Sequence, residues 1–461
     1  MYLELLQLAS PEAVLTVTAL ILLALQALRP TWRSALPFVA ALGIIAAGVA
    51  VSLLPTDADY ANGMLVVSPL SSLAKIICLF LSLFTVLFAR GSTFTKHLGE
   101  YLALILLATI GLLILVSTDQ LLMIFIGLEL TGLSLYIISA FDKNSRPGIE
   151  GGMKYFLFGS VASAFTLFGL SLVYGMTGST HLPDISGALT AGDPIQPLLA
   201  AGLVMTVAGL AFKIAAAPMH LWAPDTYQAA PVPSAAFIAS ASKVAAFFVL
   251  GRLLLIGLSP VAGSADFQAA TAGWAPALAV IAALSIITGN LVALAQKNLR
   301  RLLAYSAIAH AGYTLLGILA GTPAGFSATL FYTTVYGITI LGTFGIIDIV
   351  KRHTGRDDIA AFANLRHRSP LLAAYLAIFL LSLAGLPPLV GFFGKFYLFA
   401  AAFAAGNNHG LLWLIFLALA GSLVSLYYYL NVLKTALVDS TDDRNSQDGS
   451  PTIPTEKIPI P

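Results

Sequence analysis

The sequence predicts an all-α polytopic membrane protein of about 13 transmembrane helices, with two inverted five-helix repeats that each contain a discontinuous helix. Three observations predict it. The 461 residues are 58% hydrophobic and only 10% charged, with a mean hydropathy of +0.91, whereas a soluble domain carries about 25% charged residues. The apolar runs leave lysine and arginine on alternate loops only. Two of the runs are far too long for one crossing, and each is interrupted by proline.

About 20 apolar residues span a bilayer. By that measure the spans are 11–29, 36–54, 69–89, 98–117, 119–141, 150–176, 196–230, 233–257, 272–294, 301–320, 324–350, 370–404 and 411–433. The leading "MYLELLQLASPEAVLTV" lacks the basic region of a cleaved signal peptide, so the first run is expected to be retained. The final stretch from Lys434, polar and proline-rich, reads as a disordered tail. The single cysteine, Cys78, excludes an internal disulfide and any cysteine-ligated metal cluster.

Orientation follows from the basic residues, which are retained on the cytoplasmic side. All but Lys75, Lys154, Lys213, Lys243, Arg252 and Lys395 fall in alternate loops or in the tail. The N-terminus is therefore expected outside and the C-terminus in the cytoplasm. A missed or invented span would scramble this split.

Residues 196–230 and 370–404 contain "FKIAAAPMHLWAPD" and "GLPPLVGFFGKF". An interior proline costs a helix about 3 kcal/mol, and a lysine at bilayer depth roughly 2.5–3.5 kcal/mol more. Broken helices are tolerated in membranes only where protein or a water-filled cavity receives the freed backbone, and transporters use them to build ion sites in inverted repeats. Span starts at 98, 150 and 196 recur at 272, 324 and 370. The expected units are a three-helix segment (1–97), a first repeat (98–257), a second, inverted repeat (272–433) and the tail (434–461).

The polar groups within the spans suit proton transfer. Lys243 is the eleventh residue of its span, about 15 Å in, at the midplane. Lys213 precedes the first break and Lys395 follows the second. Glu129 lies in "IFIGLELTGLSLY", with Asp119 at the outer mouth, and needs a cationic partner; Lys213 has the matching depth. His220 follows the first break in "MHLW", and His310 sits mid-span in "YSAIAHAGY". Each histidine reads equally as a relay or as a hydrogen-bonded structural group. Lys75 reads as a snorkelling or structural lysine, Lys154 as an interfacial anchor or a functional lysine, and Arg252 as a snorkelling residue near a span end. No phosphate loop, dinucleotide fingerprint or nucleic-acid module is present.

"GLAFKIAAAPMHLWAPDTYQAAPVPSAAFIASASKVAAFFVL", "NLRRLLAYSAIAHAGY" and "GLPPLVGFFGKFYLF" closely resemble the subunit N family of bacterial NADH-quinone oxidoreductase, respiratory complex I, over about residues 60–435. The family is antiporter-like. The resemblance implies two half-channels joined along a hydrophilic axis, with Glu129 paired to Lys213, Lys243 as the central lysine, Lys395 as the lysine of the second broken helix and Lys154 as a further axis lysine. It implies proton translocation coupled to quinone reduction elsewhere. It implies no cofactor in this chain, with NADH, FMN, iron–sulfur clusters and quinone in other subunits. Expected partners are other membrane-arm subunits, including sister antiporter-like ones, and membrane lipid, with no nucleic acid. The expected location is the bacterial inner membrane. The sister subunit M carries glutamate where Lys395 stands, and sister L adds a long lateral helix. The family usually has fourteen spans, one more than found here. The alternative is a stand-alone or Mrp-type cation/proton antiporter.

Overall fold

The computed structural model describes residues 2–28, 30–191, 194–405, 410–439 and 458. Most of the expected tail lies outside the described residues. The chain begins with α1 (Tyr2–Leu8), α2 (Ser10–Leu28) and α3 (Leu36–Ser52). A small hairpin follows, β1 (Ala58–Tyr60) paired antiparallel with β2 (Leu65–Val67), then α4 (Pro69–Phe88). Ser68 starts α4: its side chain accepts the Ser71 N–H, the Ser71 hydroxyl accepts the Ser68 N–H, and Pro69 takes the first helical position, where no N–H is needed.

Lys75 is not a snorkelling residue. Its ammonium lies 2.7 Å from Glu12, and the two side chains are 1% and 10% exposed. The pair ties α4 to α2 with mutual charge compensation, because either ion alone would be stranded in low dielectric.

The next helices are α5 (Leu98–Leu115), α6 (Leu121–Ser139), α7 (Arg146–Thr177), the short α8 (Leu182–Ala188), α9 (Pro197–Lys213), α10 (Trp222–Ala229), α11 (Val232–Ala239) and α12 (Ala241–Arg252), which runs into a π turn over Leu253–Gly257. They are followed by α13 (Trp274–Ala293), α14 (Leu299–Leu319), α15 (Pro323–Thr354), α16 (Leu365–Arg368), α17 (Pro370–Ala384), α18 (Val390–Ala404) and α19 (Leu412–Leu437). Ten helices among the described residues are long and apolar enough to cross a membrane. Shorter apolar helices, Leu36–Ser52, Pro197–Lys213, Pro370–Ala384 and Val390–Ala404, occupy the positions of the remaining expected spans, the last three of them in the two broken runs.

The long helices α7 and α15 are built alike. Each has 32 residues, opens on a hydroxyl cap (Ser145, Thr322) with proline in the first turn, and closes on a left-handed glycine (Gly178, Gly355). At 1.5 Å per residue each is about 48 Å long and outreaches a ~30 Å hydrocarbon core. The interior is formed by α11, α12 and α14, whose side chains are almost wholly buried. Large apolar side chains such as Leu42, Leu157, Phe168 and Leu423 face outward, as lipid-facing positions do.

Two expectations need correction. Arg252 does not snorkel freely, because its guanidinium reaches Asp119 at 2.5 Å and locks the C-terminal end of α12 to the α5–α6 junction. The span expected at 233–257 is also not one straight helix. Ser240, at φ −113° and ψ −88°, separates α11 from α12. A third interruption therefore lies three residues before Lys243.

Candidate intramembrane proton path

Each break in the chain releases backbone groups, and their new partners shape the site. In the first, α9 ends at Lys213 and α10 begins at Trp222. Ala215 takes a left-handed conformation at φ 57°. The Trp222 indole N–H donates to the Phe212 carbonyl at 3.2 Å, and the Ser285 hydroxyl accepts the Ala217 N–H at 2.8 Å. Both groups are thus satisfied by neighbours, and among the described residues no hydrogen bond or ion pair ties Lys213. Its side chain faces a small cavity of about 20 Å³ that it shares with Glu129, Tyr136, Ser163 and Thr166.

The expected contact between Glu129 and Lys213 is looser than an ion pair. The two line one cavity, but no charged contact within 4.0 Å joins them. Glu129 instead accepts a hydrogen bond from Ser163 on α7.

The second break works differently. Helix α17 ends at Ala384, and Gly385 adopts φ +84°. Pro388, four residues after Ala384, has no N–H to give its carbonyl. Lys395 supplies the donor: its ammonium lies 2.9 Å from the Ala384 carbonyl and 2.9 Å from the Ser422 hydroxyl, 5.2 Å from the Tyr313 ring centroid. A side chain at position 385 would press on the lysine stem. Glycine there permits both the left-handed turn and the close approach.

Lys243 is 3% exposed. It donates to the Ala307 carbonyl at 2.9 Å and sits 5.6 Å from the Tyr336 ring centroid. Among the described residues no carboxylate pairs with Lys243 or Lys395 within 4.0 Å. Neutral dipoles and aromatic faces alone hold both.

His310 lies between these lysines. Nδ1 meets the Tyr332 hydroxyl at 2.5 Å, and Nε2 meets the Tyr429 hydroxyl at 3.2 Å. The Tyr336 ring is 5.0 Å away. Tyr429 also bonds Ser306 and packs on Tyr428. The Tyr428 hydroxyl reaches Asn290 at 3.4 Å, and Asn290 donates to the Tyr313 hydroxyl at 2.8 Å, beside Lys395. Between Lys243 and Lys395 the interior thus carries a histidine, several tyrosines and Asn290, linked partly by hydrogen bonds and partly by ring contacts.

The tyrosines were not anticipated. Tyr332 and Tyr336 stand four apart on α15, hence on one face, and "YYY" at 427–429 is unusual for a span. Those were the available signals. Towards the first break the lining changes to stacked rings, with Tyr155 on Trp222 at 4.0 Å. The buried hydroxyls of Tyr227, near Trp222, and of Tyr336, near Lys243, have no hydrogen-bond partner among the described residues.

Two expected residues stand apart. Lys154 bonds Asp225 and Glu150, each at 2.7 Å, and its side chain is 40% exposed. Asp225 also bonds Arg301 at 2.5 Å. The lysine thus belongs to an ionic cluster on the basic-loop side. In the adjoining loop, burial disfavours the Asp357 charge, but Arg300 and Lys351 outweigh it and hold the carboxyl below its ordinary range. His220 lies in the first break, half-buried, and its Nδ1 finds no partner among the described residues. It does not join the His310 cluster.

A family model described as NADH:quinone oxidoreductase/Mrp antiporter, TM, matches residues 118–424. NADH-quinone oxidoreductase subunit N 2 of Acidobacterium capsulatum is 47% identical over 98% of this chain and 94% of its own. The chain belongs to the NADH-quinone oxidoreductase subunit N family. The fold agrees with this subunit N assignment: a chain of respiratory complex I from Thermus thermophilus with bound aureothin superposes with a TM-score of 0.77, at 34% identity, over 98% of this chain and 92% of that one. A chain of the Mrp complex from Dietzia sp. DQ12-45-1b shares the fold at 22% identity, with a TM-score of 0.79 over 97% of this chain and 85% of that one. Subunit N and Mrp-type chains therefore share one antiporter-like membrane architecture.

Proposed function

We propose that this chain is a proton-translocating membrane-arm subunit of an NADH-quinone oxidoreductase, and that protons move along Glu129, Lys213, Lys243, His310 and Lys395 while quinone is reduced in other subunits. One observation carries the reading: two buried lysines, without counter-ions among the described residues, flank a histidine held by tyrosine hydroxyls. Intramembrane ionisable groups of this kind mark ion or proton pathways. The Glu129–Lys213 separation suits control, because a carboxylate at variable distance changes how tightly the lysine holds its proton. The orphaned hydroxyls of Tyr227 and Tyr336 suit water-bridged transfer towards Lys243. His220 and Lys154 act, in this reading, at the break and at the cytoplasmic mouth. Redox chemistry with NADH, FMN, iron–sulfur clusters and quinone belongs to partner subunits. The basic loops face the cytoplasm across the inner membrane.

In the assembled complex, Lys213→Ala should lower NADH-driven quinone reduction about tenfold or more, in keeping with loss of a proton-transfer group. Near-normal coupled turnover by an assembled variant would remove Lys213 from the path. Sodium-driven transport by the isolated chain, without NADH-oxidising subunits in the preparation, would favour the stand-alone antiporter.

A further inference from the structure

On the basic-loop side, a groove of about 860 Å³ opens between the end of α2, the start of α5 and the end of α6. Its two ends differ in chemistry. Lys96 and Lys143 stand at the mouth, exposed and without an ion-pair partner among the described residues. His97 is there too, paired with Glu100 at 2.9 Å, so the acid at the rim is already engaged. Deeper in, the walls are Leu23, Leu104, Leu107, Ile137 and Phe141.

The mouth is built rather than incidental. Arg33 donates to the Ser92 and Thr95 carbonyls at 2.5 and 2.6 Å, fixing the loop that carries Lys96. Gln26 on α2 accepts the Gly99 N–H at 3.0 Å, fixing the start of α5. Phe94 packs edge-on against Tyr101, 5.1 Å between centroids.

The dimensions match one leaflet. From Leu98 to Leu107 the α5 wall runs about 14 Å, close to half of a ~30 Å hydrocarbon core. A neighbouring transmembrane helix would need a groove through the full thickness. An acyl chain needs only this depth, with its headgroup at the cationic mouth. Basic pockets between helices on the cytoplasmic side suit anionic headgroups.

We propose that this groove is a binding site for one anionic diacyl phospholipid, its phosphate held by Lys96 and Lys143 and an acyl chain laid along α5 between α2 and α6. The site is separate from the proton path and stands whether or not that path is correct. The test uses the whole complex purified from native membrane, stripped of loosely held lipid and re-exposed to isotope-labelled phosphatidylglycerol. Mass spectrometry should count one labelled lipid fewer per complex in Lys96→Gln/Lys143→Gln, and likewise in Leu104→Trp, which fills the shaft but keeps the charges. Equal counts in all three overturn the site. A benzophenone amino acid at Ile137, in an otherwise unaltered chain, should give a phospholipid adduct on illumination. An adduct to protein alone would show that a partner helix occupies the groove and would equally overturn the proposal.

Discussion

Replacing Lys243 with arginine is expected to lower NADH-driven proton translocation about tenfold or more, nearly as far as replacement with alanine. Arginine keeps the charge but does not release its proton. A structural ion pair would be rescued by it, yet the structure offers none to rescue: the lysine touches the Ala307 carbonyl and the Tyr336 ring, and no described carboxylate lies within 4.0 Å. Arginine is also larger than the site, and overpacking a dense interior costs about 1–3 kcal/mol. Each variant therefore needs its assembled fraction measured on native gels before rates are compared. Lys243→Met, close in volume and uncharged, separates bulk from chemistry. If assembled arginine variant pumps at half the unaltered rate or better while alanine does not, Lys243 is a fixed charge and not a relay.

The second large effect is expected from Pro388→Ala. In a continuous helix, residue 388 would donate to the Ala384 carbonyl. Proline withholds that donor, and Lys395 takes the vacant acceptor at 2.9 Å. Alanine restores an N–H that competes with the lysine for one oxygen. The variant, alone or with Pro387→Ala, should assemble but lose proton translocation about tenfold or more, with Lys395→Ala showing a similar defect. Should the prolines serve only to bend the helix for packing, the outcome reverses: assembly suffers, and whatever complex does form pumps normally. Proton uptake by sealed vesicles, normalised to assembled complex, distinguishes the two.

Both broken helices were legible because proline and glycine leave local marks on the chain. The depth of Lys243 was legible because rise per residue converts position into distance. The interruption at Ser240 was not, since "FIASASKVAA" contains neither proline nor glycine. Partner choice was legible only in part. That Glu129 and Lys213 share a cavity followed from matching depth, but their separation and the intervening role of Ser163 depend on how α6, α7 and α9 are rotated. Lys154 looked intramembrane by count, yet α7 is long enough to carry it to the ionic cluster with Asp225, 71 positions along the chain. The tyrosines around His310 come from α15 and α19, which no local pattern places together.

The bond from Lys395 to the Ala384 carbonyl also constrains how this position changes by descent. Glutamate, which the resemblance places here in the sister subunit M, has no proton to offer when ionised. Set opposite a carbonyl oxygen, it would face an acceptor with an acceptor. A reversal of charge at 395 thus entails a second change that hands the Ala384 oxygen to another donor. The nearest is the Ser422 hydroxyl, already 3.4 Å from it. The Ala384 carbonyl, Pro388, Lys395 and Ser422 are thus coupled through one acceptor, and transplanting the acid alone into this chain should break the turn that the lysine now completes.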